Sequence, residues 1–420
     1  MTFTATVSPA AATGTVTFKD GTATLGTGTL VSGKTTFSTT ALTVATHTIT
    51  ASYAGDSNDN ASTSGNLTQT VNKASTTTTL TSSPNPSIYQ TSVTFTATVS
   101  PAAATGTVTF KDGSTTLGTG SLVSGKTTYS TTALALGSHS ITATYGGDSN
   151  DNSSTSGNLT QLVKANTTTT LTSSLNPSTY QTSVTITATI SPTAATGTVT
   201  FYDGATQLGT GQLSSGKTTY STAALTVGSH TITASYGGDS NYNSSTSPNL
   251  TQTVNKANTT TTLTSSPNPS TYLTSVTFTA TVSATAATGT VTFYDGATQL
   301  GTGQLSGGKT TYSTAALTVG AHTMTASYGG DGNYNTSTSP ILTQTVKAGP
   351  PTITSLTPAF GPIGALVTIA GTNLGSSPTG NSVTFSGWPA SPTSWSATSI
   401  TTPVPIYEGI GSVKQKNQKN

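Results

Sequence analysis

Gly106-Thr107-Val108-Thr109-Phe110-Lys111-Asp112-Gly113 decides how the rest of the chain is read, because it occurs four times with Lys or Tyr at its sixth position. Its phenylalanine falls at Phe18, Phe110, Phe201 and Phe293, at intervals of 92, 91 and 92 residues. A second marker, Tyr-(Ala/Gly)-Gly-Asp, keeps the same beat, with Asp56, Asp148, Asp239 and Asp331. A period this long is one small domain copied in tandem rather than one large catalytic domain. Chains of near-identical copies serve reach, display or multivalency.

Composition narrows the function classes. The 420 residues include no cysteine, 13 basic residues that are all Lys, and 11 acidic residues of which only Glu408 is Glu. Charged residues make up 6% of the chain, against about 25% in ordinary globular proteins. The net charge is only +2 and apolar residues alternate cleanly, which marks a folded, polar β protein rather than a disordered one. Without Arg or a basic cluster there is no phosphate-neutralising surface, so nucleic acid is not an expected partner. Without Cys there is no disulfide and no thiolate nucleophile or metal site. No apolar run approaches the length of a membrane span.

Within the second copy, Thr76 to Thr81 reads as an extended run that Pro84-Asn85-Pro86-Ser87 breaks. Val93, Phe95, Ala97 and Val99 alternate with Thr and Ser, the signature of a half-buried strand. Val108 and Phe110 face inward on the next strand, and Asp112-Gly113 fits a type I′ hairpin turn. Leu117 and Leu122 flank a glycine-containing strand, and Tyr129 and Leu134 mark another. His139, Ile141, Ala143 and Tyr145 alternate on the strand that follows. Gly146 to Thr155 reads as a polar loop, and Leu159, Gln161 and Val163 close the copy. About seven short strands in about 92 residues is the pattern of an immunoglobulin-like β-sandwich. The fold class is therefore all-β, with tandem sandwiches expected to form an extended rod.

The repeats resemble the bacterial Ig-like tandem-repeat (Big) family in the Thr-rich opening strand, in Gly-Thr-Val-Thr-Phe-Tyr-Asp-Gly (197–204), and in Val227-Gly228-Ser229-His230 through Asp239 with its Asn/Ser-rich loop. The resemblance covers residues 1 to about 346. It implies extracellular, multidomain surface or secreted proteins of bacteria and no particular ligand. A different module follows, with Pro351-Thr352-Ile353-Thr354, Gly361-Pro362-Ile363-Gly364, Val367-Thr368-Ile369-Ala370-Gly371 and both tryptophans, Trp388 and Trp395. It resembles an IPT/TIG domain, another Ig-like sandwich.

The expected organisation is a truncated first repeat (1–71), repeats at 72–163, 164–254 and 255–346, an incomplete IPT/TIG-like module (350–413) and a foreign tail (414–420). Met1-Thr2-Phe3-Thr4-Ala5-Thr6-Val7 aligns with Val93 to Val99, in mid-strand, so the first copy lacks the segment matching Ser75 to Ser92. The chain reads as a length cut from a longer protein, and its missing signal peptide says little about location.

Candidate sites are few. One histidine recurs per repeat (His47, His139, His230, His322) at a strand start, without the second ligand a metal needs; a structural role is expected. Asp148, Asn150 and Asn152 hold the 1, 3, 5 spacing of an EF-hand loop, but position 6 is Ser153 and position 12 is Leu159. The loop is expected to be an Asx-rich turn, and calcium is the lesser reading; no other cofactor is expected. Asp112 and Asp148 sit at opposite ends of the sandwich, too far apart for paired acid–base catalysis, so no enzyme is expected. Chain topology places Asp112 of one copy near Asp239 of the next, with Lys164 in the joint as Lys73 and Lys256 are in theirs. The expectation is that Lys164 bridges the two carboxylates and stiffens the joint. The linkers, such as Val71-Asn72-Lys73-Ala74-Ser75, contain no flexible Gly/Ser spacer.

The function expected from these features is a monomeric, non-catalytic stalk on a bacterial cell surface or in a secreted protein. Two alternatives stay open: an adhesin binding glycans or proteins, for which exposed Tyr202, Tyr242, Tyr294 and Tyr334 would speak, and ice binding by threonine arrays, which needs a flat Thr-x-Thr face.

Overall fold

The computed structural model describes residues 1–406 and, as backbone only, 413–417. The residues fall into two units, Met1–Thr172 with Ile186–Tyr220 and Thr231–Leu250, and Ser173–Thr185 with Ser221–His230 and Thr251–Asn420. Strands are the only regular elements among the described residues. Threonine and valine at nearly every second position favour the pleated conformation, and Gly or Pro interrupts any helical window.

The second repeat, in the first unit, shows the plan. Its strands are β1 (Thr77–Ser83), β2 (Ser87–Ile88), β3 (Val93–Ser100), β4 (Thr107–Asp112), β5 (Thr115–Ser121), β6 (Lys126–Thr131), β7 (Gly137–Tyr145), β8 (Ser154–Thr155) and β9 (Leu159–Lys164). One sheet runs β6-β3-β1 and the other β5-β4-β7-β9-β2, with β8 also on β7. Pro84 to Pro86 carries the Thr-rich opening run from the first sheet to the second, where β2 pairs parallel with β9 (Ser87 with Val163, Ile88 with Lys164). The expected polar loop holds β8, whose Thr155 and Ser154 pair with Thr144 and Tyr145.

Val93, Phe95, Ala97 and Val99 of β3, Val108 and Phe110 of β4, and Ile141, Ala143 and Tyr145 of β7 are all buried and form one core. Across it, Phe110 stacks on Tyr129 of β6 with ring centroids 5.8 Å apart. That contact explains the Gly-Thr-Gly motif of β5. Gly118 pairs with Phe110, and a Cβ on it would lie 2.3 Å from the Tyr129 ring. Only a residue without a side chain leaves the tyrosine room to cross.

The hairpin after β4 differs from expectation by one residue. Asp112 pairs with Thr115, so the loop is Gly113-Ser114, and Gly113 has φ +55°. Glycine first in a two-residue loop is the type II′ arrangement, not I′ centred on Asp112-Gly113. Asp112 stays in the strand because its carboxylate is held from β7.

The first repeat has Thr2–Thr6 paired with Lys34–Ser38 as a two-stranded sheet. Among the described residues, no strand lies on the outer side of Thr2–Thr6. In the second unit, the fourth repeat repeats the plan around Phe278, Phe293, Met324 and Tyr328.

The last module has a four-stranded sheet, ordered Thr352–Thr357, Leu366–Thr372, Ser399–Pro403 and Ser394–Trp395. Its second sheet places Asn381–Phe385 between Trp388–Ala390 and Val413–Asn417. Val367, Ile369, Leu374, Val383 and Ile400 form its core. Of the residues read as a foreign tail (414–420), 414–417 thus belong to a strand, Val413–Asn417, antiparallel to Asn381–Phe385. Ladder bonds are backbone bonds, which any residue but proline can supply.

Candidate functional site at the joints between repeats

The joint is built from the Asp148 loop and the chain segment that enters its repeat. Asp148 Oδ1 accepts from the backbone N–H groups of Asn150 and Asp151, both at 2.8 Å. Oδ2 accepts from Thr105 N at 2.8 Å and Thr105 Oγ1 at 2.6 Å. The carboxylate is saturated by the donors of its own loop, an Asx turn tied to the start of β4. The Thr105 hydroxyl, the Thr105 N–H and the loop N–H groups hold its pKa well below the usual carboxylate range. In Asp331 burial pushes the other way, yet the N–H groups of Thr288, Asn333 and Tyr334 outweigh it and hold the pKa at about 2. The backbones of Asn150 and Asn152 bind the entering chain: Asn150 O accepts from Ala74 N, and Asn152 N donates to Ala74 O. Among the described residues no group of three or more His, Asp or Glu side chains is placed to hold a metal.

The junction lysine meets this loop at a carbonyl. Lys164 Nζ donates to Asp239 O at 2.7 Å. Lys73 and Lys256 donate in the same way to Asp148 O and Asp331 O. The structure therefore brings Lys164 and Asp239 together, but not through the carboxylate, whose lone pairs are already taken by Thr196, Asn241 and Tyr242. Asp112 is not the third member of this bridge. Its Oδ2 lies 2.7 Å from His139 Nδ1 and its Oδ1 accepts from Ser140 N at 3.2 Å.

Lys164 is a residue of two sandwiches. Its backbone ends β9 and its carbonyl accepts from Tyr89 N of the second repeat at 2.8 Å, while its ammonium holds the loop of the third. The next residue, Ala165, already bridges Tyr242, with Ala165 N donating to Asn241 O and Asn243 N donating to Ala165 O. No spacer residue intervenes. The other joint in the first unit reads Val71-Asn72-Lys73-Ala74, whereas this one reads Val163-Lys164-Ala165. The missing Asn accounts for the 91-residue step. Lys164 is half-buried, whereas Lys73 and Lys256 are exposed.

Each histidine fastens its own repeat. His139 Nε2 lies 2.9 Å from Ala135 O and Nδ1 meets Asp112; His47 with Asp20 and Thr43, and His322 with Asp295 and Thr318, repeat the pair. Nε2 beside a carbonyl must carry a proton, and Nδ1 beside a carboxylate favours a second one. Burial lowers the His139 pKa, but the Ala135 carbonyl and the Asp112 carboxylate outweigh it and raise the value. The sequence held a signal for this pair: Asp and His are separated by 27 residues in all four copies.

Bacterial Ig-like domain (group 3) is the family description that matches four stretches, residues 1–72, 80–164, 171–255 and 263–347. The chain belongs to this family. Residues 351–419 match the IPT/TIG domain. No curated protein matches the chain. Among solved structures it is similar to the Clostridium thermocellum CbhA fibronectin(III)-like modules, at 20% identity, TM-score 0.25, over 42% of this chain and 92% of that one. It is also similar to an ICAM-5 D1-D4 ectodomain fragment, at 13% identity, TM-score 0.34, over 81% and 98%. The Escherichia coli adhesin FdeC aligns at 15% identity, TM-score 0.24, over 64% and 96%. At such scores these likenesses decide nothing about function.

In these bacterial Ig-like repeats the tyrosines of copies three and four are not a uniform exposed platform. Tyr242 and Tyr334 are 9% and 5% exposed, and Tyr202 and Tyr294 are half-buried. Tyr334 bridges Ala257 and packs edge-to-face on Tyr180 of the preceding repeat, centroids 5.6 Å apart. Asp151 holds the same position in the second repeat, 6% exposed and bridging Ala74, so the position is buried whichever side chain occupies it. Threonines do form a grid on the outer face of the β6-β3-β1 sheet: Thr96 lies between Thr81 and Thr128, but Thr98 lies between Thr79 and Lys126. The lysine interrupts the grid on one side of that row, and Ser83 and Ser130 flank Thr94 on the other. Asp112 and Asp148 lie at opposite ends of β4, the first in its last pair and the second on Thr105 before its start. Neither matched family is enzymatic, and no helix among the described residues is long and apolar enough to cross a membrane.

Proposed function

We propose that the chain is a non-catalytic spacer segment of a bacterial cell-surface or secreted protein. Its four Ig-like repeats and IPT/TIG module set the distance at which other parts of that protein are held. One observation carries this reading: the last strand residue of one sandwich, Lys164, also holds the first contact loop of the next. A joint with no free linker residue transmits position, which a display or spacing role needs and an independently acting binding module does not. The content repeated in each copy is core, turn and joint, with carboxylates such as Asp112 and Asp148 and histidines such as His139 held in internal hydrogen bonds.

Small-angle scattering on the chain and on a variant lacking residues 164–254 tests the reading. The nine-residue β7 (Gly137–Tyr145) implies a sandwich about 30 Å long. The maximum dimension should fall by about that length per repeat removed. An unchanged dimension would mean that the copies do not set reach, and the spacer role would be abandoned.

A further inference from the structure

The second repeat takes in the chain at one end of its sandwich and releases it at the other. Ala74 bridges Asp151 at the entry end, and Thr76 Oγ1 donates to Asn152 O there at 2.9 Å. β1 runs away from that end, and its continuation β2 lies parallel to the last strand, β9, and stops beside Lys164, where the chain leaves. A pull on the two ends of the repeat thus draws β2 towards the entry and β9 towards the exit. Parallel neighbours drawn in opposite directions along their length are sheared, so the bonds between them bear the force together. Strands pulled from one shared end are peeled, one bond at a time.

The seam holds more than its two ladder pairs, Ser87 with Val163 and Ile88 with Lys164. Asn85 spans it with its side chain: Nδ2 donates to Thr160 O at 2.7 Å, and Oδ1 accepts from Leu162 N at 3.1 Å. The side-chain amide stands in for a ladder residue between Pro84 and Pro86, which have no N–H to give. From the other side, Gln161 Nε2 donates to Pro84 O at 3.1 Å. Gln161 is fully buried and Ser87 is 2% exposed, so water cannot replace these bonds singly as they stretch. Asn176 makes the same two bonds, to Thr251 O and from Thr253 N, and Asn268 makes them with Thr343 and Thr345. Each sits beside a parallel pair on its own last strand. Leu175 stands where Pro84 and Pro267 stand in the other copies, yet Asn176 keeps both bonds.

We infer that this seam is a mechanical clamp in the second, third and fourth repeats, and that the chain carries tension between the parts it holds apart. The source of the tension rests on the spacer reading; the strength of the clamp does not. A spacer under pull keeps its length only while its sandwiches stay folded, and forced unfolding is governed by the rate at which the loaded bonds break. Shear across β2 and β9 makes that rate slow, with Asn85 and Gln161 adding bonds where the prolines interrupt the ladder. β1 lies in the same line of force and is paired along its length with β3, from Thr77 opposite Ser100 to Ser83 opposite Thr94.

Single-molecule force spectroscopy on the full chain tests the clamp, with the lifetime of each repeat read at constant force. Asn85→Ala, at an exposed residue, removes two bonds and should shorten the lifetime of the second repeat about tenfold when the chain is held at its two ends. The third and fourth repeats should keep their parent lifetimes. The cysteine-free sequence also allows the chain to be held at Gln90→Cys, exposed in the turn after β2, and at its C-terminus. Force then reaches the second repeat from the exit end alone and peels β2 from β9, while the third and fourth repeats are still sheared and serve as the reference. The second repeat should fail at least about tenfold sooner than when held at the chain ends. Equal lifetimes in the two pulling directions overturn the clamp, and so does an unchanged lifetime in Asn85→Ala. Neither result touches the maximum dimension by which the spacer reading is tested, so the two fail separately.

Discussion

Replacing Lys164 by Met removes the one side-chain donor seen to link the second repeat to the Asp239 loop, and leaves β9 and the Ala165 backbone bridge intact. The bond is 2.7 Å long, half-buried, and made by a charged donor to a carbonyl. A buried bond of this kind is worth roughly 1.5–3 kcal/mol, and partial exposure to water reduces that to about 1 kcal/mol. At 25 °C this is about a fivefold change in the ratio of docked to undocked joint. The cysteine-free sequence permits clean spin labelling at Ser114→Cys and Ala205→Cys, on exposed hairpins of adjacent repeats. The Lys164→Met chain should show a broader distance distribution between the labels, with undocked species enriched about fivefold. Lys126→Met, exposed at the far end of the second repeat where it pairs with Thr98, should match the parent. Superimposable distributions for Lys164→Met and parent would refute the reasoning, because the ammonium would then be exchanging its carbonyl for water at no cost.

Three further outcomes follow from the geometry. The raised His139 pKa means that its pair with Asp112 stabilises the repeat fully below the unfolded histidine value of about 6.5 and loses that contribution as pH rises through the folded value; exchange of the β7 amides, corrected for intrinsic rates, should be faster at pH 8 than at pH 5.5, and His139→Gln should abolish the difference. Asp331 behaves oppositely: its depressed pKa contributes stability above the unfolded value of 3.8 that is lost as pH falls through about 2. The near-ultraviolet circular dichroism of the buried tyrosines should therefore change between about pH 4 and 2, less so in Asp331→Asn. Gly118→Ala forces the Tyr129 ring off Phe110, at a cost of about 1–3 kcal/mol, and urea unfolding followed by β3 amide exchange should show the loss in the second repeat alone.

The sandwich was legible because burial in a β-sheet has a period of two, which a sequence displays directly. Val93, Phe95, Ala97 and Val99 could face nowhere but a core, and the 92-residue beat could be nothing but copied domains. The position of Lys164 beside the Asp239 loop also followed from chain order, since the strand that leaves one sandwich must enter the next at that end. The acceptor atom did not follow. Charges suggested a carboxylate, but the Asp239 carboxylate accepts N–H and O–H groups from its own loop and from Thr196, and only the carbonyl is left to face the lysine. Which donors surround a carboxylate depends on backbone that folds back from 43 residues away. Tyr242 and Tyr334 were misleading for the same reason, because a position that is exposed in one sandwich is buried once a second packs on it. Sequence alone thus determined the repeated unit, its core and its order along the chain. The tertiary structure decided what each polar group bonds to and which faces are covered, because those depend on neighbours that are remote in the sequence and set by packing rather than by local pattern.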